Sequence, residues 1–277
     1  MITTVAVDGE LRRLEELRLQ DFFQTFQFGT GFFETLLITE GTPMFLDRHL
    51  ARLGASLAAH PVVRAPSPEV LAPAAVREAL HRCLEADAAL GPRFTGVGKL
   101  VAGDGHLLMT FRPLPPRYEQ TQREGRSLDE EESRCYRRGD PTLNHKSTAY
   151  LRQFMHLERM PVFFNEAGGL CEVPTGNLFL LLGDTLVTPS LEAPCLPGII
   201  RAILLEAETV GGWRAMERPV ERSELEGARG CILTNSVSLA IPVPRLLGRS
   251  LPESVALALA ARELILAEAR RLEPDRR

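Results

Sequence analysis

Leu143-Asn144-His145-Lys146-Ser147-Thr148-Ala149-Tyr150-Leu151 holds one of only two lysines in a chain of 277 residues; the other is Lys99, in a sequence with 32 lysines and arginines in all. Where arginine can serve as the cation, this sequence nearly always has arginine, and for the surface that composition bias is explanation enough. Lysine differs in chemistry. Its ε-amine can lose a proton, attack a carbonyl carbon and form a Schiff base, whereas guanidinium stays protonated. An amine-chemistry enzyme built on this chain therefore has two candidate nucleophiles. Lys146 stands at the start of a helix predicted over 145–160, where the positive end of the helix dipole favours a neutral amine. The plain alternative is a surface lysine in the first turn.

Working outward from Lys146, Leu170-Cys171-Glu172-Val173-Pro174-Thr175-Gly176-Asn177-Leu178-Phe179 places Glu172 in a Gly-, Pro- and Thr-rich turn before an apolar strand. A carboxylate there can pair with a protonated ring nitrogen, or it can be an exposed turn carboxylate. Leu196-Pro197-Gly198-Ile199-Ile200-Arg201 opens a helix predicted over 197–210. Its free N–H groups form a natural phosphate cradle, and Gly198 allows close approach, although Pro-Gly also begins many ordinary helices. Thr234-Asn235-Ser236 ends a strand and offers a hydroxyl and an N–H to the same anion. Arg52, on the first long helix, can complete the charge neutralisation or be simply solvated.

The remaining pattern sets the architecture. Strands are predicted at 3–7, 34–38, 97–102, 106–111, 162–165, 178–182, 185–188 and 230–234. The second is entered through Gly29-Thr30-Gly31, and Gly103-Asp104-Gly105 joins the third and fourth as a hairpin. Helices are predicted at 45–60, where Leu46, Leu50, Leu53 and Leu57 recur at helical spacing, and at 73–90 and 252–272. Strands and helices mix in both halves without regular alternation, which favours α+β over a doubly wound sheet. The stiff segment Arg112-Pro113-Leu114-Pro115-Pro116-Arg117 marks the expected boundary between a small N-terminal α+β domain, 1–114, and a larger domain, 115–277, carrying Lys146. The charged stretch 120–132 reads as solvated surface.

Composition narrows the function classes. The hydrophobic share of 44% and charged share of 25% are those of an ordinary globular protein. A net charge of −4 speaks against nucleic acid as the main partner. The longest apolar runs, such as 178–182, are too short to span a bilayer, and the N-terminal region shows no apolar signal core. Cys83, Cys135, Cys171, Cys195 and Cys231 are odd in number and lack CxxC spacing, so reduced thiols in a cytoplasmic protein are expected. Six scattered histidines give no expectation of a metal site.

Each of these signals is weak alone, but their order is informative. Gly29-Thr30-Gly31-Phe32-Phe33-Glu34-Thr35, His49-Leu50-Ala51-Arg52-Leu53, Lys146, Glu172 with Asn177-Leu178-Phe179, Pro197-Gly198-Ile199, and Ser236 before Ile241-Pro242-Val243 together resemble the class IV, or fold type IV, pyridoxal-phosphate enzymes. These include branched-chain and D-amino acid aminotransferases and aminodeoxychorismate lyases. The resemblance runs from about residue 7 to the terminal helix and implies a two-domain fold with pyridoxal 5′-phosphate between the domains, usually in a homodimer.

Carried over residue by residue, Lys146 resembles the lysine that binds the cofactor and shuttles the substrate proton. Glu172 resembles the residue that keeps the pyridine nitrogen protonated, and Arg52 the phosphate-binding arginine. Gly198, Ile199, Ile200 and Ser236 resemble the rest of the phosphate cup. Tyr150 is similar to the tyrosine that touches the cofactor's phenolic oxygen in branched-chain members. Phe33 and Lys99 fall at substrate positions, where Lys99 either binds a carboxylate or is structural. Ile200 replaces a common threonine, and Phe33 replaces the tyrosine of D-amino acid aminotransferases. The leading expectation is an aminotransferase acting on a small amino acid and a 2-oxo acid. His145-Lys146-Ser147-Thr148 resembles some lyase sequences, whereas the short Gly103 turn lacks the Arg-Gly pattern common there in lyases. A lyase that eliminates pyruvate, or a non-catalytic binding protein of this fold, are the alternatives.

Overall fold

The computed structural model describes residues 2–140 and 142–272, without the side chains of 133–135 and hence without that of Cys135. Two compact units emerge: Met1–Pro115 together with Lys146–Tyr150, and Pro116–His145 together with Leu151–Arg277. The short segment bearing Lys146 thus groups with the first unit, although its position in the chain suggested the second.

The first unit is built on a six-stranded sheet. Its strands are β1 (Thr4–Val7), β2 (Glu10–Arg13), β3 (Phe32–Thr39), β4 (Thr42–Pro43), β5 (Gly96–Gly103) and β6 (His106–Pro113), in the order β2-β1-β6-β5-β3-β4. Every pairing is antiparallel. The β5–β6 hairpin closes on Gly103 opposite His106, with Asp104 at φ 56° and Gly105 at φ 88°. That is the two-residue Asp-Gly turn whose twist suits a hairpin. A short helix, α1 (Phe23–Phe28), is anchored where Asp104 accepts from the N–H groups of Gln24 and Thr25. Helices α2 (Leu46–Ala59) and α3 (Pro73–Ala86) bury Leu46, Leu50, Leu53, Leu57, Val76, Leu80 and Leu84 against Leu36, Ile38, Leu100 and Met109 of the sheet.

In the second unit, α4 (Tyr118–Glu124) precedes β7 (Glu131–Tyr136), which pairs in parallel with β8 (Val162–Asn165) beyond α5 (Leu151–Met155). The larger sheet is formed by β9 (Asn177–Leu182), β10 (Thr185–Pro189), β11 (Thr209–Val210), β12 (Trp213–Arg218), β13 (Ala228–Asn235) and β14 (Leu239–Pro242), ordered β11-β12-β10-β9-β13-β14. Helices α6 (Ile199–Glu206) and α7 (Ser254–Leu272) pack on it. Strand β9 is a continuous apolar run because it is interior and nearly wholly buried. The α+β expectation holds.

Three local expectations change. The charged stretch 120–132 contains most of α4 and leads into β7, and Leu128 within it is fully buried. The helix predicted over 197–210 is shorter, and its last two residues form β11. The helix predicted over 145–160 survives only as Leu151–Met155, so Lys146 does not occupy a helix start. Ser147 and Thr148 explain this. Ser147 Oγ accepts from the Ala149 N–H, and Thr148 Oγ1 accepts from the Gly31 N–H. Hydroxyl side chains that capture backbone groups compete with the helical ladder. Among the described residues, no helix is long and apolar enough to cross a membrane, and no His/Cys/Asp/Glu group is arranged to hold a metal.

Candidate active site

Lys146 is seated by its backbone. The Phe33 N–H donates to the Lys146 carbonyl at 2.8 Å, and the Thr148 N–H donates to the Gly31 carbonyl at 2.8 Å. Residues 146–148 thereby extend the N-terminal end of β3, with Ser147 bridged to Phe32. Gly29 permits the approach: its φ is +65°, and an added Cβ would stand 3.0 Å from the Ala149 backbone. The Lys146 Nζ lies 4.6 Å from the centroid of the Phe33 ring, and the Lys99 Nζ lies 4.2 Å from the same centroid. One aromatic ring thus lies close to both lysines of the chain. Tyr150 meets Phe33 edge-on at 5.2 Å, and its own ring lies 5.3 Å from the Lys146 Nζ.

Beneath this surface is a buried charge cluster that sequence reading missed. Arg52 forks Glu34, with Nε donating to Oε1 at 2.8 Å and Nη2 to Oε2 at 2.5 Å. His49 Nδ1 lies 2.6 Å from Glu34 Oε2. Glu34 is 1% exposed and His49 0%. Burial pushes the Glu34 carboxyl upward, but Arg52 and then His49 pull it down to about 2. Burial lowers the His49 pKa, so its ring is neutral and Nδ1–H donates to Glu34; among the described residues its Nε2 has no hydrogen-bond partner. The signal was present. Glu34 shares the core face of β3 with Leu36 and Ile38, and on α2 His49 follows Leu46, and Arg52 follows His49, at a spacing of three.

This cluster predicts how stability depends on pH. The unfolded chain takes up a proton at His49 near the ordinary 6.5 and at Glu34 near the ordinary 4.5, before the folded chain does. Both groups therefore stabilise the fold fully only at pH above these values. Stability should begin to fall as pH drops below about 6.5 and fall further between about 4.5 and 2, the Glu34 share reaching about 3 kcal/mol. Urea unfolding across this range checks it; a Glu34→Gln variant with an unchanged acid limb would refute the assignment.

In the second unit, the turn before β9 holds Glu172, which is 5% exposed. The Phe163 N–H of β8 donates to its carbonyl at 2.8 Å. The carboxylate accepts from the Tyr136 hydroxyl at 3.0 Å, the Leu196 N–H at 2.9 Å and the Asn177 amide at 3.4 Å. These neutral donors orient the carboxylate without cancelling its charge. Asn177, expected only as part of a motif, links the site. Its amide also donates to the Leu196 carbonyl at 2.9 Å, and its Oδ1 lies 2.1 Å from where a Cβ on Gly198 would be. Any larger residue at the entrance to α6 would force Asn177 out of its bonds.

The first bond of α6 runs from the Ala202 N–H to the Gly198 carbonyl, so the N–H groups of Ile199, Ile200 and Arg201 precede its ladder. The Ile200 side chain is 1% exposed and belongs to the core, which accounts for an apolar residue here. Ser236 sits half-buried in the β13–β14 turn, where Asn235 Oδ1 accepts from the N–H groups of Val237 and Ser238. Lys146, Tyr150, Phe33, Lys99 and Arg52 thus belong to the first unit, and Glu172, Gly198, Ile199, Ile200 and Ser236 to the second.

The profile of the family described as amino-transferase class IV matches residues 31–246. The chain belongs to this family. Among curated members, the aminodeoxychorismate lyase of Bacillus subtilis is 27% identical over 270 residues, covering 87% of this chain and 86% of the relative. A hypothetical aminotransferase from Mycobacterium tuberculosis in its PLP-bound form superposes with a TM-score of 0.81 at 22% identity, covering 96% of this chain and 99% of that one. The 4-amino-4-deoxychorismate lyase of Pseudomonas aeruginosa gives a TM-score of 0.73 at 26% identity, covering 98% and 99%. This class IV chain therefore has the mixed helix-and-sheet architecture of fold type IV, with both aminotransferases and lyases among its relatives.

Proposed function

We propose that this class IV protein is a pyridoxal-phosphate-dependent aminotransferase moving an amino group between a small amino acid and a 2-oxo acid, with Lys146 carrying the cofactor. The observation that supports this best is the seat of Lys146, fixed to β3 by its backbone with its amine over Phe33. The donor set suits the cofactor: an amine for the aldehyde, a buried carboxylate for the ring nitrogen and helix-start N–H groups for the phosphate. Bound there, the cofactor supplies an electron sink for negative charge at the substrate Cα.

The chain's residues supply the rest. Lys146 moves the proton between the substrate Cα and the cofactor's C4′. Glu172 keeps the ring nitrogen protonated, and Tyr150 borders the phenolic oxygen. Arg52, Ser236 and the N–H groups at Gly198, Ile199 and Ile200 hold the phosphate. Phe33 and Lys99 border the substrate, with Lys99 offering a cation to its carboxylate. A homodimer is part of this proposal; Phe26 and Phe28 are each 70% exposed, apolar surface of the kind that interfaces use. Sedimentation of the purified protein tests it, and a monomer would refute it. Four buried, unpaired thiols suit a cytoplasmic setting.

Arg52→Ala should weaken cofactor affinity about ten- to a hundredfold, the loss of one charged hydrogen-bonding partner. It also strands buried Glu34, so stability should fall by about 3–5 kcal/mol, and adding Glu34→Gln should recover most of that. Equilibrium cofactor titration and urea unfolding measure the two effects separately. Unchanged affinity would remove Arg52 from the phosphate cup.

A second reading is a lyase that releases pyruvate, favoured by the curated relative's 27% identity along most of both chains. The loaded enzyme should be given L- and D-amino acids with and without 2-oxoglutarate, and separately aminodeoxychorismate. Conversion of the cofactor to its pyridoxamine form, with turnover dependent on the acceptor, supports the aminotransferase. Pyruvate release without an acceptor supports the lyase.

A further inference from the structure

Phe32 and Ser147 face each other as an antiparallel bridge. Two ladder bonds flank it: the Phe33 N–H to the Lys146 carbonyl on one side, and the Thr148 N–H to the Gly31 carbonyl on the other. In a regular antiparallel ladder, Gly31 and Thr148 exchange a second backbone bond, from the Gly31 N–H to the Thr148 carbonyl. Here the side chain supplies the acceptor. Thr148 Oγ1 takes the Gly31 N–H at 2.9 Å and donates its own proton to the Gly31 carbonyl at 3.0 Å. The Thr148 carbonyl instead accepts from the Tyr150 N–H at 2.7 Å, closing a three-residue turn at Ala149. We propose that Thr148 is a positioning residue for the reaction. Its hydroxyl stands in for its carbonyl at the edge of β3, so the chain is held as a strand at Lys146 and then turns at once to bring Tyr150 beside the same amine.

A hydroxyl suits this exchange because one oxygen both accepts and donates, and branching at Cβ limits threonine to few rotamers. Its partner is held in place as well. Gly31 is buried, and a Cβ on it would stand 2.8 Å from Thr25 Cγ2 of α1 and 3.0 Å from the Ala102 carbonyl of β5. A buried N–H without an acceptor is costly, so removing the hydroxyl loosens the ladder two residues from Lys146. The turn has a visible consequence. Were the strand to continue, Tyr150 would lie four residues, about 13 Å, beyond Lys146. Instead its ring meets Phe33 at 5.2 Å and lies 5.3 Å from the Lys146 Nζ. Ser147 Oγ steadies the same turn by accepting from the Ala149 N–H at 3.0 Å.

This inference rests on the proposed roles of Lys146 and Tyr150, and the two can be tested apart. Thr148→Val removes the hydroxyl at nearly constant size, and Thr148→Ser keeps it. In the full chain freed of cofactor, the Gly31 amide of Thr148→Val should exchange its hydrogen about tenfold faster than in the parent, with the Phe33 amide moving in the same direction. Thr148→Ser should stay within about twofold of the parent. The loaded enzyme is then given whichever substrate reacts. Its single-turnover rate at saturation should fall about tenfold in Thr148→Val, while the half-saturating substrate concentration stays within about twofold. The bound cofactor's visible circular dichroism should weaken alongside, and Thr148→Ser should restore both rate and signal. If Thr148→Val does not fold, Thr148→Ala carries the same expectations. Faster Gly31 exchange with a parental rate would make the hydroxyl structural only and overturn the proposal. So would unchanged exchange, or a Thr148→Ser variant as impaired as Thr148→Val. Borohydride fixing the cofactor away from Lys146 would overturn the proposed function and this role with it, while the exchange result would stand by itself.

Discussion

Lys146→Arg is expected to lower turnover by about a thousandfold or more, the scale seen when a covalent nucleophile is removed. The substitution keeps the positive charge and most of the length. The backbone seat on β3 should also survive, because the Phe33 N–H reaches the Lys146 carbonyl rather than its side chain. Only the ability to lose a proton and bond to carbon disappears. The purified parent should be yellow, and borohydride should fix the cofactor irreversibly on the peptide containing Lys146; the arginine variant should carry no such label. With only two lysines in the sequence, the mapping has one competing site. Label on Lys99, or turnover retained by Lys146→Arg, would overturn the assignment.

The second large effect belongs to Glu172. Glu172→Gln should leave the cofactor bound yet slow single-turnover chemistry by about 10²–10³-fold, the range for removing a preorganised electrostatic partner. The amide preserves size: its one oxygen can still accept from the Leu196 N–H, while its NH2 group, in place of the other carboxylate oxygen, can donate to the Tyr136 hydroxyl. It cannot hold the ring nitrogen protonated as an ion pair. Near-parental single-turnover rates in a properly loaded variant would remove Glu172 from the reaction.

Much of the fold was legible because its longer elements obey one period throughout. Helix α2 displays Leu46, Leu50, Leu53 and Leu57 on one stripe, and the β5–β6 hairpin announces itself through Asp104-Gly105. Reading failed where side chains took over backbone bonds. Residues 145–150 have acceptable helical composition, but the Ser147 and Thr148 hydroxyls and the edge of β3 claim their backbone groups. The site was legible as a series of positions, not as a network. Arg52 was read as a phosphate ligand or a solvated helix residue, whereas Glu34 already occupies two of its N–H groups. Asn177 passed as a motif letter, although it ties Glu172 to the entrance of α6. Both omissions are long-range pairings that no local window contains.

The clamp between β3 and residues 146–148 bears on how the protein is made. Gly31 and Thr148 are 117 residues apart, so the first unit cannot finish its sheet edge while its own strands alone have left the ribosome. It must wait for a stretch synthesised after the second unit has begun. Closing so long a loop is entropically costly and slow relative to local folding. Lys146 therefore reaches its place only once the first sheet exists to receive it. If Lys146 carries the cofactor, its capture is a late event in biogenesis, and a nascent chain stalled near residue 115 would carry a folded-looking sheet without Lys146.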